Sequence, residues 1–131
     1  MKRILLVSVI LTTVLLSGCA SSAPTLSPQL VLSINGTGDT QVGVSTRTTQ
    51  TFHISNQEWY IETDCEALDS GMPVSFIISV FPEGVPIGSD FVAVISQTTP
   101  SLETNYVHKS GNFYLSIVAM NIKTWSIKAY E

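Results

Sequence analysis

Beyond residue 28, apolar side chains recur at every second position, and no window keeps a helical period. Leu30, Leu32 and Ile34 alternate with Val31, Ser33 and Asn35, and Phe52 and Ile54 with Thr51, His53 and Ser55. Trp59 and Ile61 oppose Tyr60, Glu62 and Asp64, while Phe76, Ile78 and Val80 oppose Ile77, Ser79 and Phe81. Phe113, Leu115, Ile117 and Ala119 oppose Tyr114, Ser116, Val118 and Met120, and Trp125 and Ile127 oppose Ser126, Lys128 and Tyr130. Successive residues of a strand point to opposite faces, so each run has one face to bury. Less regular strands are expected at 41–45, 91–97 and 102–108.

Turn formers separate these runs: Asn35-Gly36-Thr37-Gly38-Asp39, Ser55-Asn56-Gln57, Asp69-Ser70-Gly71-Met72-Pro73, Pro82-Glu83-Gly84-Val85-Pro86, Thr99-Pro100-Ser101, Ser110-Gly111-Asn112 and Asn121-Ile122-Lys123. Many short strands with frequent turns predict an all-β fold, an antiparallel β-sandwich of about seven to nine strands. Trp59, Ile61, Phe76, Ile78, Phe113, Leu115, Trp125 and Ile127 are its predicted core. The two Trp-x-Ile strands could instead carry a ligand-stacking pair, but alternation with polar neighbours assigns both tryptophans to packing.

The start of the chain has a different character. Lys2 and Arg3 precede an apolar run from Ile4 to Leu16, followed by the small residues Ser17 and Gly18 and then Cys19, the layout of a secretory signal. A spanning helix needs about 20 apolar residues, and this run is shorter. Leu16-Ser17-Gly18-Cys19 resembles the lipobox of bacterial lipoproteins. That resemblance implies cleavage between Gly18 and Cys19 and a diacylglycerol thioether on Cys19, holding the chain to a membrane by two or more acyl chains. Ala20 after the cysteine, where Asp would retain a lipoprotein, implies passage to the outer membrane in a two-membrane cell. The expected organisation is a signal peptide at 1–18, a lipidated cysteine and Ser/Pro-rich tether at 19–28, and a β domain at 29–131.

Removing Lys2 and Arg3 with the signal leaves four Lys and Arg residues against ten acidic ones, a formal charge of −6. An acidic domain without a basic cluster does not make the footprint that phosphate backbones need, so nucleic acid is not an expected partner. With Cys19 lipidated, Cys65 has no partner within the chain despite the oxidising compartment. It is expected to be a buried free thiol, with an intermolecular disulfide as the exception.

Gly36-Thr37-Gly38-Asp39, Thr51-Phe52-His53-Ile54, Glu58-Trp59-Tyr60-Ile61, the run Gly111-Asn112-Phe113-Tyr114-Leu115-Ser116-Ile117 and the closing Trp125-Ser126-Ile127-Lys128 resemble small secreted β-sandwich proteins of bacteria and archaea. The last two also resemble the closing hairpin of pre-peptidase C-terminal and CUB-like sandwiches. The likeness rests on packing and turn residues, and it implies a jelly-roll or CUB-like fold rather than an activity. The segment Thr40 to Thr49 departs from the pattern by its length.

Candidate chemistry is sparse. His53 and His108 are the only histidines, both in the polar phase of their strands. No HExxH, GxSxG or GxxxxGK[ST] motif occurs. Asp39, Glu62, Asp64, Glu66 and Asp69 form no loop of the calcium-binding type, so no metal or cofactor is expected. The sequence therefore predicts a non-catalytic, lipid-anchored module outside the cytoplasm, structural or binding a protein, envelope polymer or carbohydrate, with Tyr60, Tyr106, Tyr114 and Tyr130 as candidate contacts. The alternative is an envelope hydrolase that uses two acidic loop residues. Tyrosines gathered in one exposed patch favour the first reading, and two carboxylates converging in a cleft favour the second.

Overall fold

The computed structural model describes residues 27–38 and 44–131. The signal segment, the Gly18–Cys19 cleavage and lipidation site, most of the tether, and Asp39 with residues 40–43 lie outside the described residues. Nine strands follow one another: β1 Leu30–Thr37, β2 Val44–Thr48, β3 Phe52–Ile54, β4 Trp59–Ala67, β5 Ser75–Pro82, β6 Ala93–Gln97, β7 Leu102–Val107, β8 Gly111–Met120 and β9 Ile122–Tyr130. No helix occurs among the described residues.

All pairings are antiparallel, and the strands form two sheets. The first has the order β1-β9-β4-β7; the second has the order β2-β8-β5-β6, with β3 also on β8. β2 and β3 lie along the same strand β8, β2 on residues 116–120 and β3 on residues 111–113. Counted as one interrupted strand, they make the arrangement an eight-stranded jelly roll.

The alternating residues fill the space between the sheets. Trp59, Ile61, Phe76, Ile78, Val80, Phe113, Leu115, Ile117, Trp125 and Ile127 are all buried in one core. The two tryptophans anchor its two ends. Trp59 stacks on Phe113 at 5.6 Å and meets the edge of Phe52 at 5.8 Å, and its indole N–H donates to the Lys109 carbonyl at 2.9 Å. Trp125 packs against Phe76 at 5.8 Å, and Arg47 covers it with its guanidinium 5.8 Å from the ring. The Trp125 Nε1 is buried without a hydrogen-bond partner among the described residues.

Two turn signals have another meaning. Asn35, Gly36 and Thr37 are paired strand residues, opposite Ser126, Trp125 and Thr124. Gly36 is there because the indole lies on it: a Cβ would stand 3.0 Å from Nε1 and closer still to Cζ2 and Cε2. Gly38 likewise presses on the Ile122 carbonyl. Of Asn121-Ile122-Lys123, only Asn121 lies outside the strands, with φ at 55°. That single residue hands the chain from β8 in the second sheet to β9 in the first. Its position suits asparagine, which tolerates the left-handed region better than other side chains with a Cβ. In the less regular segment 91–97, the strand begins at Ala93, and Phe91 stands before it with its side chain exposed.

Candidate functional site

Register brings three of the four candidate tyrosines together. Tyr60 on β4 lies directly opposite Tyr106 on β7 and Tyr130 on β9, so the three form a row across the outer face of the first sheet. Adjacent strands are about 4.8 Å apart, and the Tyr60 and Tyr130 rings stack at 4.9 Å with an interplanar angle of 18°. Tyr106 is tilted 49° from Tyr60 at 5.7 Å, which opens a wedge between those two rings. Tyr106 lies on an edge strand and is 61% exposed, so one wall of the wedge faces solvent. Tyr114 is not part of this row. It stacks on Phe81 of the second sheet at 5.4 Å, and its hydroxyl donates to the Val85 carbonyl at 2.6 Å.

The row borders a cavity of about 420 Å³, within the range of small-molecule sites, whose walls include Tyr60, Tyr106, Tyr130, Trp59, Asn56, Glu58 and Glu131. Ser27, Pro28 and Gln29 close one side, held there because Gln29 and Glu131 exchange backbone hydrogen bonds at 2.7 and 2.9 Å. The cavity thus opens where the chain leaves the β domain toward its N-terminus.

Charge at this cavity has one sign. Glu58 and Glu131 line it, and no lysine or arginine does. Glu131 Oε2 accepts from the backbone N–H groups of Ser55 at 2.6 Å and Asn56 at 3.3 Å, which holds the carboxylate in place. Glu58 lies 3.3 Å from His108 Nδ1, both side chains largely exposed. Desolvation, with Glu62 beside both rings, pushes the Tyr60 and Tyr130 hydroxyls above their ordinary titration range, so both remain neutral donors at physiological pH.

The other candidates are dispersed. Glu62, Asp64 and Glu66 stand in line on β4, facing Lys128, Ser126 and Thr124 of β9. Lys123 donates to Glu66 at 2.9 Å and Thr124 to the same carboxylate at 3.2 Å, and these bonds hold its pKa below the usual carboxylate range. Asp69 is spent within its own loop, accepting from Gly71 N–H at 2.8 Å. His53 is exposed and shares a 2.7 Å contact with Asn112 Oδ1. Among the described residues, no three His, Cys, Asp or Glu side chains are close enough to share a metal ion.

Cys65 is a free, buried thiol, 6% exposed. Burial pushes its pKa up, outweighing a hydrogen bond from Ser101. It borders a polar cluster that the sequence reading missed. Gln97, 1% exposed, accepts from the Thr63 hydroxyl at 3.0 Å and donates to the Thr99 carbonyl at 3.0 Å and to the Ser101 carbonyl. These bonds tie the 98–101 crossover between the sheets to the core. The signal was in the pattern: Thr63 shares its phase with Trp59 and Ile61, and Gln97 with Ile95, and a polar residue in an apolar phase needs a partner.

No protein-family model matches the chain, and neither the curated proteins nor the solved structures include a match to it.

Proposed function

We propose that this chain is a non-catalytic binding module, held by a lipid on Cys19 to the outer side of a bacterial-type membrane, and that it engages its ligand through the tyrosine row of the first sheet. The observation that carries the reading is the convergence of Tyr60, Tyr106 and Tyr130 on one cavity wall. Tyrosine supplies large amphipathic contact area at small entropic cost, which is why such clusters serve recognition. The two carboxylates on the cavity are already engaged, Glu131 by two backbone amides and Glu58 beside His108, which favours electrostatic selection over acid–base work.

Anchoring gives the location a functional sense. Nine tether residues separate Cys19 from the domain and reach at most about 30 Å. The cavity wall at Pro28 therefore stays close to the lipid surface.

Two measurements test the reading. Cys19→Ala abolishes the acyl mass and either releases the protein or leaves it unprocessed; normal processing and retention without that cysteine refutes the anchor. Material from the cell envelope recovered on the intact protein is lost with Tyr106→Ala, a substitution at an exposed edge position. Undiminished recovery by a folded Tyr106→Ala protein refutes the assignment of the surface.

A further inference from the structure

Resting on the tyrosine row as the ligand surface, we infer that the cavity bounded by Tyr60, Tyr106, Tyr130, Glu58 and Glu131 accepts an organic ammonium group. Two independent features select that chemistry. The first is the wedge of rings. A cation is attracted to an aromatic face when it lies within about 6 Å of the centroid. Tyr60 and Tyr106, with centroids 5.7 Å apart, are themselves in contact, and their 49° tilt lets a group at the mouth of the wedge lie within that range of both. Tyr130, on the strand at the other side of β4, stacks on the remaining face of Tyr60.

The second feature is charge. The cavity carries Glu58 and Glu131 and no lysine or arginine, and Glu62 lies one step along β4 from Tyr60. Lys128 faces Glu62 one register step beyond the row, and Lys109 lines a different depression on the β7 side; neither lines this cavity. Two backbone N–H groups fix the position of the Glu131 carboxylate. An anionic ligand meets repulsion here, and an uncharged one packs on the rings but forgoes the charge attraction of the carboxylates and ring faces. A group with a positive nitrogen and a small apolar body gains from each.

Two sources carry this group, a quaternary choline-type head and the primary amine of a lysine side chain or amino sugar. Intact protein in an uncharged detergent is titrated with choline, n-butylammonium and 3,3-dimethylbutan-1-ol, the last a neutral isostere of choline, while the tyrosine ring protons are followed by NMR at constant ionic strength. The expected result is saturable shifts of the Tyr60, Tyr106 and Tyr130 rings with at least one ammonium ion, and roughly tenfold weaker binding of the neutral isostere. Tyr106→Ala and Glu58→Gln, both at exposed positions, each weaken ammonium binding by about two- to fivefold while the protein keeps a cooperative melting transition. A preference for choline identifies the quaternary source, and a preference for n-butylammonium the primary one.

Equal binding of the isostere and choline, no saturable shift with either ammonium ion, or Tyr106→Ala and Glu58→Gln proteins that bind as the wild type does, overturns the inference. If envelope material is still lost with Tyr106→Ala while no ammonium ion binds, the surface stands and the ligand class is wrong. If neither depends on Tyr106, both fail.

Discussion

Replacing Asn121 should damage this fold more than any other single polar substitution. The residue stands alone between β8 and β9, buried, with φ at 55°. Its Oδ1 accepts from Asp69 N–H at 3.0 Å, and its Nδ2 reaches the carbonyls of Asp69 at 3.0 Å, Met72 at 2.8 Å and Pro73 at 3.3 Å. One amide thus holds the 68–74 loop, which joins β4 to β5 and so bridges the same two sheets. Asn121→Ala loses two or three net bonds at about 1 kcal/mol each and adds the left-handed penalty of roughly 1–2 kcal/mol, together about 3–5 kcal/mol. A domain of this size holds about 5–15 kcal/mol and shifts by about 4–8 °C per kcal/mol, so the melting temperature should fall by roughly 12–40 °C. Asn121→Gly separates the two contributions, because glycine accepts the backbone conformation and loses only the bonds; it should be the milder variant by about 1 kcal/mol. Asn121→Asp should be as damaging as alanine, since it keeps the acceptor for Asp69 N–H and turns a carboxylate toward three carbonyl oxygens. Urea unfolding followed by tryptophan fluorescence measures all three. Alanine and glycine variants within about 0.5 kcal/mol of the wild type, or a glycine variant as unstable as alanine, would refute the reasoning.

Gly36→Ala places a Cβ against the Trp125 indole and should cost about 1–3 kcal/mol by overpacking; the same substitution in a Trp125→Phe background should cost less, and equal costs in a thermodynamic cycle would show the contact is not the cause. Gln97→Leu strips the 98–101 crossover of its tie to the core and should cost about 2–4 kcal/mol, with part of that loss shared with Thr63→Val in a double-mutant cycle; additive effects would mean that the two side chains act separately. Cys65 should resist thiol reagents in the native protein at neutral pH and label only on unfolding, because burial both raises its pKa and blocks access; labelling at the rate of a free peptide thiol would contradict the packing.

The sandwich was legible because each strand has one wet and one dry face, and a period of two records that directly in the residues. Trp59-Ile61, Phe113-Leu115-Ile117 and Trp125-Ile127 could face nowhere but the interior without a register shift that would carry their polar neighbours in. Gly36 and Gly38 were misleading for a physical reason. Glycine permits a turn, but it also permits another group to approach the backbone, and only the opposite strand decides which applies. Trp125 lies 89 positions away from Gly36 in the chain, and nothing local to β1 announces it.

The tyrosine row shows the same boundary from the functional side. Strand phase placed Tyr60, Tyr114 and Tyr130 on outer faces, since these three alternate with apolar neighbours, and Tyr106 opposite Val107 in a less regular strand. Which of them meet depends on strand order and register, set by the jelly-roll path: β4 lies between β9 and β7, and Tyr60 opposes one tyrosine on each side. Tyr114 obeys the same alternation on β8 and is carried to the other sheet. The same path separates the charges. On the outer face of the second sheet Thr46, Thr48, Ser75, Ile77, Ser79, Ser116 and Val118 come into register, all uncharged, with Arg47 in the opposite phase over Trp125, whereas on the first sheet the charged Glu62, Asp64, Glu66 and Lys128 come into register. Of the two sheet surfaces, the one that carries the tyrosine row is therefore also the one that can discriminate a ligand by charge.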